Sequence, residues 1–72
     1  MGELEMLDKV DWEIIKWKAH GMNAREIGAV VKFKPKTVKN RLVKIYEKLD
    51  VHNSIQMLRK LNDLGVDVWN ME

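Results

Sequence analysis

The chain has no cysteine among its 72 residues, which excludes disulfides and thiolate metal sites. No apolar run approaches the roughly 20 residues that span a bilayer. The acidic start lacks the basic region and apolar core of a secretory signal. We therefore expect one small soluble domain, residues 1–72, in the cytoplasm. A chain this short buries a modest core, so dimerisation would add useful buried area.

Positive charge is concentrated in one segment. Residues 32–48 carry seven basic side chains and one acidic side chain, whereas the rest of the chain carries six basic and ten acidic ones. This asymmetry indicates a localised surface for an anionic partner. The alternative is a solvated helix face, and the helical pattern of the segment favours the first interpretation.

Start and stop signals predict four helices and no strands. Asp8, Asn23 and Asn53 are good N-cap residues, and the last two are followed by the third-position Glu or Gln of a capping box. Pro35 suits the first position of a helix. The predicted fold is an all-α bundle, and its helices span residues 9–20, 24–31, 35–49 and 54–64. The tail 66–72 stays unassigned.

The third predicted helix has an apolar face and a basic face. One helical stripe is formed by Val38, Leu42, Ile45 and Leu49. Only three residues separate this helix from the second, in which Gly28 suggests a close approach of another helix. So short a connection is typical of a helix-turn-helix, with Phe33 as the apolar plug of the turn. In that motif the second of the two helices lies in the major groove of DNA, and here that is the third predicted helix.

The outer face of this helix has side chains that suit double-stranded DNA. Lysines neutralise phosphates, while Asn pairs with adenine and Lys with guanine. Lys39 and Asn40 are the candidate base readers, with phosphate or solvent contacts as the alternative. His20 and His52 are isolated, and no nucleophile–base set or phosphate loop is present. We expect no enzyme activity, cofactor, metal or small-molecule ligand.

Four sequence blocks resemble the LuxR/GerE-type helix-turn-helix domain of bacterial response regulators. The blocks are G-M-N-A-R-E-I-G (21–28), K-P-K-T-V-K (34–39), I-Y-E-K-L-D-V (45–51) and G-V (65–66). Their spacing fits without gaps, and the resemblance covers residues 7–66. It implies a tetrahelical domain, with the third helix as recognition helix and the fourth as dimer contact on promoter DNA. The chain is similar to the short stand-alone, GerE-like members.

The resemblance also implies a set of DNA contacts. The matching positions are Lys39, Asn40 and Val43 for bases, Lys36, Thr37 and Lys44 near phosphates, and Asn23 and Arg25 at the DNA backbone. Four positions depart from the family pattern, and one of them is Arg41, where a His is common in the family. Lys34 replaces the usual Ser, which weakens the N-cap of the recognition helix, and Lys32 and Asp50 replace the usual Gly.

The fourth predicted helix has more apolar surface than one core face needs. Met57, Leu61 and Leu64 are predicted to form a homodimer seam, with packing against the tail and Trp69 as the alternative. The sequence therefore predicts a sequence-specific transcription regulator that binds double-stranded DNA as a homodimer. The alternative function is a protein-interaction module of helix-turn-helix shape that contacts RNA polymerase or another regulator.

Overall fold

A computed structural model of the chain describes residues 6–69. This part contains no strand, and its four helices are α1 (Lys9–Ala19), α2 (Ala24–Val31), α3 (Pro35–Leu49) and α4 (Ser54–Asp63). The predicted all-α fold is confirmed. α1 and α4 each end one residue earlier than predicted, because His20 and Leu64 are their C-cap residues. No helix in this range is long and apolar enough to cross a membrane.

Side-chain caps begin three of the four helices. The Asp8 carboxylate accepts a hydrogen bond from the backbone N–H three residues on, at 2.8 Å, and Asn23 and Asn53 do the same at 2.9 and 2.8 Å. These bonds satisfy donors that the first turn of a helix leaves free. The Gln56 side chain accepts from the backbone of His52 instead of Asn53, so the capping box predicted there is incomplete.

The two turns that flank α3 use left-handed backbone at residues other than glycine. Lys32 has φ 66° and ψ 38°, and Asp50 has φ 56° and ψ 49°. Left-handed backbone costs an L-residue with a Cβ about 1–2 kcal/mol. Both departures from the family's glycines therefore fall where glycine would relieve strain.

Gly28 lies where α2 meets the turn. A Cβ on this residue would stand 2.5 Å from the carbonyl oxygen of Phe33, far closer than packed atoms allow. The close approach expected at Gly28 is present: the nearest partner is the backbone of the turn, and the backbone nitrogen of Pro35, the first residue of α3, follows at 3.5 Å. This contact allows α3 to leave α2 after only three residues.

The core is formed by one face of each helix. Its fully buried large side chains are Ile14, Ile15, Ile27, Val38, Ile45, Leu49, Met57 and Leu61. The apolar stripe of α3 is buried as predicted. Phe33 packs against this core from the turn, which fits its predicted place there.

Burial corrects part of the predicted homodimer seam. Met57 and Leu61 have no exposed surface in the single chain, whereas Leu64 is 45% exposed. The first two side chains are needed to close the small core, so they are not free for a second copy. Val68 in the tail is also buried, and the ring of Trp69 meets His20 edge-on at 5.8 Å. The tail, as far as residue 69, therefore packs back onto the bundle.

Candidate nucleic-acid interface

The predicted DNA contacts on α3 form one exposed face. Lys36, Thr37, Lys39, Asn40, Val43 and Lys44 are all exposed. At 100° per residue they occupy an arc of about 160°, opposite the buried stripe of the same helix. Asn23 and Arg25, at the start of α2, are exposed as well. Each of the eight predicted residues is therefore accessible to a large ligand.

Three lysines give this face its charge. Lys36, Lys39 and Lys44 form no ion pair with any carboxylate within residues 6–69. Their charge is not neutralised within the described chain, so it is available to phosphates. The anion-binding role of the basic segment stays a prediction, and the exposure of these three unpaired side chains is compatible with it.

Arg41 and Lys48 are also basic residues of α3, but they bind the start of α1. Nη1 of Arg41 lies 3.3 Å from Oδ2 of Asp8 and 3.2 Å from Oδ1 of Asp11. Nζ of Lys48 lies 3.6 Å from Oδ2 of Asp11 and donates to the carbonyl oxygen of Met6 at 2.9 Å. Sequence reasoning missed these ties because the partners are 30 or more residues apart in the chain.

The two carboxylates of this cluster differ in exposure. The Asp8 side chain is 61% exposed, whereas that of Asp11 is 5% exposed. The pKa of Asp8 lies below its ordinary value of 3.8, mainly because the backbone N–H of Asp11 donates to it and to a lesser degree because Arg41 is near. Asp8 is therefore a negative charge at neutral pH, at the edge of the basic face.

A recess of about 340 Å³ opens between α3 and the start of α1. Its lining residues are Asp8, Asp11, Thr37, Asn40, Arg41, Lys44 and Lys48. The recess therefore joins the predicted DNA contacts to the ion-pair cluster. Neither here nor at any other place in residues 6–69 do three side chains of the metal-binding types come together.

A family model matches this chain over most of its length. It is the GerE model, described as bacterial regulatory proteins of the luxR family, and it matches residues 5–61. The matched range contains α1, α2 and α3 completely and most of α4. Comparison with curated proteins gave no match, and comparison with solved structures gave none either.

Proposed function

Because the chain belongs to the luxR family of bacterial regulatory proteins, we propose that it recognises specific sequences in double-stranded DNA and does so as a homodimer. Membership of the family already makes it a DNA-binding regulator of transcription. The observation that carries the finer proposal is the division of α3 into two faces. One face is buried in the core, and the other presents lysines that form no ion pair within residues 6–69, beside amide and hydroxyl groups.

Base reading is proposed for the stretch of the exposed face that lies midway along the helix axis, between Thr37 and Lys44. The amide of Asn40 suits the edge of adenine, and the ammonium group of Lys39 suits the O6 and N7 atoms of guanine. Val43 is apolar and 55% exposed, which suits contact with a thymine methyl group. An exposed valine between polar residues contributes little to the core, so its position is better explained by contact with a base.

Phosphate contacts are proposed for the flanks of this face. Lys36, Thr37 and Lys44 supply charges and a hydroxyl of the kinds that bind the DNA backbone. At the start of α2, Oδ1 of Asn23 already accepts the capping hydrogen bond. Its amide nitrogen is left to donate to a phosphate, next to the exposed Arg25.

A homodimer through the outer side of α4 is the second part of the proposal. Ile55 is 69% exposed, and Leu58, one turn further on, is only partly buried. Leu64 lies about half a turn around the axis from Ile55, so one flat contact would not include both. Two-fold pairing through Ile55 and Leu58 would place two recognition helices about 34 Å apart, one turn of DNA.

Single substitutions on α3 test the proposed division of roles. Lys39→Ala and Asn40→Ala should each change which base is preferred at one position of the site, since they remove groups that face base edges. Lys44→Ala should weaken binding about equally on every duplex, since it removes a phosphate contact. The measurement is the affinity of each variant for a panel of duplexes with single base changes. An equal loss for all three variants on all duplexes would refute the base-reading assignment.

A further inference from the structure

Arg41 borders the row of proposed phosphate contacts. It lies four residues after Thr37 and three before Lys44, so the three side chains are neighbours on the helix surface. All three line the recess between α3 and the start of α1. The position of Arg41 therefore places a guanidinium group beside the path proposed for the DNA backbone.

The guanidinium group is held in place but is not fully used. Nη1 alone makes both contacts with Asp8 and Asp11, and the Phe33 ring lies 5.5 Å from the guanidinium carbon. A guanidinium group carries five N–H donors. Nη2 and Nε of Arg41 have no hydrogen-bond partner in the described part of the chain. The side chain is 34% exposed, so these nitrogens are accessible.

We propose that Arg41 is a further phosphate-binding residue, held by Asp8 and Asp11 so that its free nitrogens meet a DNA phosphate. This inference rests on the proposed DNA-binding function. A side chain that is already ordered loses less conformational freedom on binding than a free lysine does. The planar guanidinium also fits two phosphate oxygens at once.

The two carboxylates have different effects on this contact. Asp11 is buried beneath the guanidinium and also binds Lys48, so it orients Arg41. Asp8 stands exposed at the edge of the recess, where its charge opposes an approaching phosphate. Asp8 therefore limits the affinity for DNA, and removing its charge alone strengthens binding.

The test measures the affinity for a random-sequence duplex across a salt series. Arg41→Gln should weaken binding roughly tenfold at low salt, as expected when a charged hydrogen bond is lost. It should also reduce the slope of log affinity against log salt by about one per chain. Lys18→Gln is the matched control, because it removes a charge of the same sign about 15 Å further along α1 than Asp8. This variant should leave the slope nearly unchanged.

Circular dichroism and thermal unfolding show whether each variant is folded. A folded Arg41→Gln with the wild-type slope would overturn the phosphate contact, since a purely structural arginine would alter stability alone. Failure of the wild type to bind any duplex would overturn the proposed function itself, and the inference with it. The two failures are therefore distinguishable.

Asp8→Asn provides a second test that does not risk the fold. Asn is as good an N-cap as Asp, and the buried Asp11 remains to hold Arg41. The variant should bind the random duplex roughly threefold more tightly at low salt, the effect of one charge about 6 Å away in water-like surroundings. Unchanged or weaker binding would contradict the proposed place of the phosphate.

Discussion

At the scale of a single residue, Lys32 is a site of backbone strain. It ends α2 with left-handed backbone, its side chain is exposed, and the next residues form the turn that leads to α3. The resemblance to a family with glycine at this position identified the site from the sequence. The backbone angles supply the physical reason, since glycine has no Cβ that could clash with the carbonyl oxygen in this conformation.

We expect Lys32→Gly to stabilise the domain by about 0.5–1 kcal/mol. The relief of left-handed strain exceeds the extra freedom that glycine gives the unfolded chain. The measurement is the midpoint of urea unfolding, which reports stability when the dependence of the unfolding free energy on urea concentration is the same in both proteins. Lys32→Ala is the control because it removes the same charge but keeps the Cβ. An equal gain in both variants would mean that the side chain, and not the backbone conformation, causes the effect.

Arg41 marks the limit of sequence reasoning at this scale. From the sequence alone, Arg41 is a DNA-backbone contact or a solvated charge, and nothing in the sequence points to a partner within the chain. Only the packing of α1 against α3 brings Asp8 and Asp11 to its guanidinium group. Such long-range ion pairs follow no local spacing rule, so they became visible only once the two helices were positioned.

At the scale of the element, helix starts were predicted well because their signals are local. Asp8, Asn23 and Asn53 each cap the helix that follows them, and each bond joins residues three positions apart. The stripe of α3 was predicted for the same reason, since its period is a property of the helix. The reach of Gln56 to His52 was not predicted, because a longer side chain has more than one backbone N–H within range.

Of the four helices in residues 6–69, α3 alone begins without a side-chain hydrogen bond at its N-cap. Lys34 stands at the N-cap with extended backbone but makes no side-chain hydrogen bond there. Pro35 at the next position fits the helix but supplies no acceptor for the free N–H groups of the first turn. The first turn of α3 therefore relies on the packing behind it and on water to satisfy these N–H groups.

We expect Lys34→Ser to stabilise the domain by about 1 kcal/mol, since a serine hydroxyl would accept from the N–H groups of the first turn. For a chain of this size, that change raises the midpoint of thermal unfolding by about 4–8 °C. Lys34→Ala removes the lysine without adding an acceptor, and it should give no such gain. If both variants have the same midpoint, a side-chain cap is not what this helix start lacks.

At the scale of the whole molecule, burial decides which apolar side chains are available to a partner. The sequence showed that α4 has more apolar surface than one core face needs, but it did not tell which residues the core uses. Met57 and Leu61 close the core, whereas Ile55 and Leu64 are exposed. Periodicity does not give the rotation of a short helix against three others, so this assignment needed the packed structure.

If the chain pairs through α4, a substitution there should change how the two copies of α3 bind DNA. Two copies joined through Ile55 and Leu58 would present two recognition helices to one side of the duplex. Ile55→Glu should separate the copies and leave binding to single half-sites, because it places a charge in an apolar contact. Leu64→Glu, an equal change half a turn away on the helix, should leave the pairing intact. Both variants change exposed side chains, so the core is preserved.

Selection of bound duplexes from a random library tests the central claim most directly. We expect the wild type to enrich an inverted pair of half-sites whose centres lie about 10 base pairs apart, and we expect Ile55→Glu to enrich one half-site alone. A library that emerges from repeated selection by the wild type with no enriched sequence would contradict sequence recognition by α3, and would favour a role in which this domain binds another protein.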